Sequence, residues 1–291
     1  MLHLLALLGV LSISFSAVFI RLAAVSPVTA AFFRALYALP VLGAIWLWGR
    51  SRDTRPTRMR ALAVASGLLL AADLASWHTS IALVGSGLAT VIANVQVVCI
   101  AMFGWVFRGQ RPTGRTWAIL AGVLIGIALT SGLARPDAYG VAPIPGVLFG
   151  VLAGACYAGF LLLFRTASST GVPGAGPLFE STIGTALGAL LVAPIDAHFS
   201  FTPNWPGHGW LFLLAIVSQV IGWLLIGTAL ARLAALEASI LLLMQPVFAI
   251  VWGRLVFQER LSLVQWCGTA LVLGGVAAIS GGRLTTERGE R

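Results

Sequence analysis

QVVCIAMFGWVFRGQRPTGRTW at residues 96–117 and QPVFAIVWGRLVFQERLSLVQW at residues 245–266 read as one segment written twice. In register, Gln96 meets Gln245, Gly104 meets Gly253, Arg111 meets Arg260 and Trp117 meets Trp266. The match runs on to Ser131-Gly132 and Ser280-Gly281. Nearer the start of each half, Gly9-Val10-Leu11 pairs with Gly150-Val151-Leu152 and Phe19 with Phe160, in a slightly different register. The chain therefore divides into two related halves, 1–137 and 138–291.

The medium in which these halves fold follows from composition. Of 291 residues, 59% are hydrophobic and only 9% are charged, with a mean hydropathy of +0.97. A soluble domain carries about 25% charged residues, so a cytosolic or secreted enzyme is excluded and an integral membrane protein is expected. Ten apolar stretches with few or no charges can span: 2–20, 28–48, 61–82, 87–107, 115–133, 145–164, 177–194, 209–231, 236–256 and 262–281. Gly85-Ser86-Gly87 splits what would otherwise be one overlong stretch. Each span should be helical, because lipid offers the backbone no hydrogen-bond partners. Five spans per half is an odd number, so the second half enters the membrane from the opposite side. The expected fold is an all-α polytopic membrane protein, with ten transmembrane helices as two inverted five-helix repeats around a central cavity. Paired halves of this kind suit a transporter whose site lies between them near the bilayer midplane.

Charge sets orientation. The formal net charge is +9, and the basic residues are all arginines that, Arg34 apart, sit in or beside short gaps between apolar runs, which argues against a nucleic-acid partner. With the N-terminus inside, thirteen arginines fall in cytoplasmic segments and four (Arg21, Arg135, Arg254, Arg260) outside, so both termini are expected in the cytoplasm. Arg34 falls well inside a span. The apolar first 20 residues lack a basic leader and read as a retained span. Cys99, Cys156 and Cys267 lie inside apolar runs without a CxxC neighbour, so neither a zinc site nor a disulfide framework is expected. There is no Walker GxxxxGK[ST] and no HExxH, so no cofactor or metal is expected.

A charge at the centre of a membrane helix costs at least about 2.5–3.5 kcal/mol and needs a reason. Arg34, Asp73 and Glu180 are such charges. Arg34 and Glu180 fall in equivalent spans of the two halves. They either couple or gate the halves, as an ion pair or as contacts to substrate, or they snorkel to water from the span ends. Asp73 and Trp77 share one helical face with Ser80, and His78 lies beside them. Gln219 and Trp223 occupy the equivalent span of the second half. An indole wall, an acceptor for an ammonium and donors for a carboxylate suit an amino acid; the bland alternative is packing or lipid-facing indole. His78 is either a proton shuttle or a satisfied buried histidine. Ser16, Asn94, Tyr157 and Gln245 complete the expected substrate site, and Pro246 should kink its helix. Gln96 lies two residues beyond Asn94, roughly across the helix, so only one of the two should face the cavity. Gln96 and Gln245 otherwise bond neighbouring helices together. The glycine ridges Gly146/Gly150/Gly154 and Gly122/Gly126 should allow close helix packing.

In each half a glutamine, seven intervening residues and a glycine lead to a short loop, which in the second half reads Phe257-Gln258-Glu259-Arg260-Leu261. The chain resembles the EamA-type family of the drug/metabolite transporter superfamily, in which a hydrophobic–x–Glu–x–hydrophobic turn precedes the last helix of each half. Glu259 matches that turn, whereas Gln110 stands at its place in the first half. The resemblance implies a transporter of the bacterial inner membrane exporting amino acids, aromatic ones included, by alternating access and without catalysis. Its partners would be the small-molecule substrate and the lipid bilayer, with oligomeric state and ion coupling left open. A nucleotide-sugar or sugar-phosphate carrier is the alternative within transport, although more buried basic residues than Arg34 would be expected for it. An intramembrane lipid-modifying enzyme would need a catalytic constellation beyond Asp73 and His78.

Overall fold

The computed structural model describes residues 2–109, 111–130, 140–168, 175–230 and 235–288. Gln110, Ser131-Gly132, Arg135, Arg232, Arg291 and the boundary at 137/138 lie outside the described residues. Among the described residues the only regular structure is helix, joined by short turns, with no strand.

The helices are α1 (Leu2–Ser14), α2 (Ser16–Ala23), α3 (Pro27–Gly49), α4 (Thr57–Val84), α5 (Ser86–Ala93), α6 (Gln96–Arg108) and α7 (Gly114–Thr130). Then follow α8 (Pro143–Ala167), α9 (Ala175–Val192), α10 (Gly207–Leu213), a π-helical stretch (Leu214–Gly222), α11 (Trp223–Leu230), α12 (Ala235–Phe257) and α13 (Leu263–Arg288). Among the described residues, seven helical stretches are long and apolar enough to cross a membrane: Leu2–Ala23, Pro27–Arg52, Thr57–Val84, Ser86–Phe107, Pro143–Ala167, Ala175–Ile195 and Gly207–Gly227. Shorter apolar helices at Gly114–Thr130, Met244–Phe257 and Leu263–Ala278 fall on the remaining apolar stretches.

Glycine decides which helices touch. On α4 and α9 the backbones meet directly: a Cβ on Gly67 would lie 1.9 Å from the Ser181 carbonyl oxygen, and one on Gly184 would lie 2.0 Å from that of Val64. The α8 ridge behaves as its spacing predicts. Gly146 faces Val84, Gly150 faces Ile92 and Gly154 faces Val95, each with room for hydrogen only. In α7 only Gly126 packs in this way, against the Gly268 carbonyl; Gly122 has open space where a Cβ would go. Gly85, with φ 87°, makes the turn from α4 into α5 that its sequence position suggests.

Several helices are interrupted. The α1–α2 stretch breaks at Phe15, α5 gives way to α6 at Asn94-Val95, and the π stretch separates α10 from α11, whereas Pro246 lies inside an unbroken α12. Residues beside each of these four features, Ser16, Asn94, Pro246 and Trp223, line one cavity.

Candidate functional site

That cavity has a volume of about 440 Å³ and is lined by α1–α6, α8 and α11–α13. Eight of the residues expected from sequence line it: Ser16, Arg34, Asp73, Trp77, Asn94, Tyr157, Trp223 and Gln245. Its apolar wall continues into an aromatic cluster. Phe160 lies edge-on to Trp223, with ring centroids 5.6 Å apart, and 5.4 Å from Tyr157. Pro246 has no N–H to give the Leu242 carbonyl, and both residues line the cavity. The Ser16 hydroxyl and the Gln96 side-chain oxygen are buried without a hydrogen-bond partner.

Gln96 lines the cavity together with Asn94, against the expectation that only one of the two would. The expectation assumes a continuous helix. Instead α5 ends at Ala93 and α6 starts at Gln96, and the intervening turn resets the helical phase. Asn94 donates from Nδ2 to the Thr90 carbonyl at 2.9 Å.

Three expected residues do not line the cavity. His78 bonds through Nδ1 to the Pro27 carbonyl at 3.0 Å, and its Nε2 is buried without a partner. Gln219, in the π stretch, accepts from Arg34 Nε at 2.8 Å and donates to Thr182 Oγ1 at 3.4 Å. Glu180 pairs with Arg55 Nη2 at 2.8 Å and lies 3.8 Å from Arg60 Nη1. Arg34 and Glu180 thus have separate partners and do not pair with each other. Arg34 does not snorkel, since only 4% of it is exposed.

Two charge clusters lie beyond the cavity. In one, Arg55 grips Asp53 with Nε and Nη2, both at 2.9 Å, and reaches on to Glu180. Asp53 lies between the spans, and the hydrogen bond from Arg55 holds its carboxyl down to about 2 despite desolvation. In the other, Glu259 accepts from Ser86 N–H at 2.8 Å, from the Ser86 hydroxyl at 2.7 Å and from Gly87 N–H at 3.2 Å, and it pairs with Arg21. An acid at the N-terminus of α5 meets unsatisfied N–H groups and the positive end of the helix dipole. The Arg21 guanidinium also sits 3.9 Å over the Phe257 ring. Beside this cluster, Phe15 stacks on Trp252 at 4.5 Å, and the Trp252 indole donates to Ser14 Oγ at 2.9 Å.

Among the described residues, apolar helices around a solute-sized hollow of mixed polar and aromatic lining fit a membrane solute carrier. The model of the EamA-like transporter family matches residues 1–132 and 144–281, and the chain belongs to that family. It is similar to the threonine/homoserine exporter RhtA of Escherichia coli (strain K12), 28% identical over 219 residues, covering 74% of this chain and 68% of that protein. It is also similar to the uncharacterized transporter YwfM of Bacillus subtilis (strain 168), 27% identical over 208 residues, covering 70% and 68%. An uncharacterized transporter of Archaeoglobus fulgidus is 29% identical over 224 residues, 76% of each chain. One crystal structure superposes with a TM-score of 0.62 at 20% identity, over 100% of this chain and 99% of that one, which shows a shared fold.

Proposed function

We propose that this transporter exports amino acids, aromatic ones included, across the bacterial inner membrane by alternating access. The moving parts are the halves 1–137 and 138–291, read as five-helix repeats of opposite polarity around the central cavity. The single observation carrying this reading is the cavity itself: it takes walls from both halves and combines buried Arg34 and Asp73 with two indoles, with Arg165 at its edge. The similarity to a threonine/homoserine exporter favours amino acids over sugar phosphates, and so does the scarcity of basic groups around Arg34.

In this reading the cavity runs from Ser16 and Asp73 out to Arg165, which is exposed at the end of α8. The arginine distribution makes that end cytoplasmic. The opposite end is held by Arg21, Ser86 and Glu259, so the conformation is open to the inside. Purified protein in proteoliposomes, offered labelled tryptophan, threonine, sugar phosphates and nucleotide sugars, tests the proposal. Saturable amino-acid flux is expected. Flux of phosphorylated sugars alone, or no flux of any, overturns it.

A further inference from the structure

We propose that Arg34 and Asp73 are the two poles of a zwitterion site, with Gln219 as the residue that positions Arg34. This rests on the amino-acid reading and assigns its binding chemistry.

Arg34 on α3 and Asp73 on α4 are both nearly buried, 4% and 7% exposed, and both line the cavity. Charges so placed normally neutralise each other, yet these two form no ion pair. The ion pairs among the described residues belong to Arg21, Arg55 and Arg60. Arg34 is drawn instead to a neutral acceptor, the side-chain oxygen of Gln219. Guanidinium only donates, so Gln219 must present its oxygen there, and its NH₂ goes to Thr182 on α9.

The π stretch matters for this placement. Its wider turn changes the phase between Gln219 and Trp223. Gln219 reaches Arg34 behind the wall, while Trp223 faces the cavity. With Nε engaged, the two terminal nitrogens of Arg34 have no protein partner among the described residues, and a planar fork of this kind takes a carboxylate with two bonds. Asp73 has no hydrogen-bond partner among the described residues either, and Trp77 lies one helical turn beyond it. An α-ammonium satisfies Asp73, the α-carboxylate satisfies Arg34, and the side chain lies against Trp77, Trp223 and Tyr157.

The test is competition against labelled tryptophan and threonine in proteoliposomes. Competitors are the matching amines and amino alcohols, which lack the carboxylate, and the N-acetyl derivatives, which lack the ammonium. Wild-type protein should prefer the zwitterion at least about tenfold over either class, the scale of one well-made charged contact. R34Q should lose the preference over amines, and D73N the preference over N-acetyl compounds. Q219L should raise KM and blunt the first preference with the maximal rate kept, which a purely structural role would not do. R34K replaces R34Q if that variant is not recovered folded. Equal competition by both classes in wild-type protein overturns the site assignment while leaving amino-acid transport intact. Absence of amino-acid flux overturns the underlying reading and this assignment with it.

Discussion

Glu259 and Arg21 form an ion pair between the α12–α13 turn and the end of α2, with the same carboxylate capping α5 at Ser86. The two partners are unequally buried, their side chains being 3% and 28% exposed respectively. Removing the buried partner strands the N–H groups of Ser86 and Gly87 as well as the cation. Hydrogen bonds to a charged group are each worth about 1.5–3 kcal/mol, and an exposed ion pair about 0–1 kcal/mol. E259A is therefore expected to lower the melting temperature in detergent clearly more than R21A, with E259Q between them. Equal losses for the two alanine variants would contradict the capping role.

The Asp53–Arg55 pair gives stability a pH dependence of known sign. The Asp53 carboxyl is held below its ordinary value of 3.8, at about 2, chiefly by the hydrogen bond from Arg55. Its contribution is present above about pH 4 and fades as pH falls through about 2. A tenfold change in proton affinity corresponds to about 1.4 kcal/mol, so the contribution is on the order of 2 kcal/mol. Wild-type protein should exceed D53N in stability by a constant margin at neutral pH, and the margin should shrink between about pH 4 and 2. A margin that does not change with pH there would remove the electrostatic explanation.

The helix contacts at Gly67 and Gly184 tolerate no side chain, since an added Cβ would sit about 2 Å from carbonyl oxygens of the facing helix. Overpacking of this kind costs about 1–3 kcal/mol or more. G67A and G184A should both unfold earlier on heating. G122A serves as the control, because nothing lies within 4 Å of its added methyl and alanine is the better helix former. Thermal denaturation followed by far-UV dichroism separates the two classes; an unchanged melting point for G67A would refute the close approach.

His78 and Asn94 should separate in transport. His78 does not line the cavity and its Nδ1 serves the Pro27 carbonyl, so H78N should keep the wild-type KM within about twofold. N94A and Q96A remove amide groups from the cavity wall and should raise KM. A strong KM effect of H78N alone would move the site toward α3.

What the sequence discloses, and what it withholds, follows from the range of the forces involved. Asp73, Trp77, Tyr157 and Trp223 are legible because polar and amphipathic groups at depth in apolar helices must face something other than lipid. The ridge at Gly146, Gly150 and Gly154 is legible because its periodicity lies along one helix. The partnership of Glu259 with Ser86 joins residues far apart in sequence, and the motif around Glu259 does not name its target. Asn94 and Gln96 are misread when helical phase is carried across a break that neither glycine nor proline marks. The π stretch also lacks a sequence signature, so Gln219 reads as a cavity residue although it stands behind Arg34. Arg55 reads from sequence as one more loop arginine, and its burial between Asp53 and Glu180 emerges only when α3, α4 and α9 converge.

The helix breaks at Phe15 and Asn94-Val95, and the π turn that ends before Trp223, lie beside the hollow. Each affected segment is in effect two stiff arms sharing an elbow. In the alternating-access reading proposed above, arms of this sort would let one mouth of the hollow widen while the other stays closed, because bending is confined to the elbows. On that reading, solute passage would need no wholesale sliding of helix past helix.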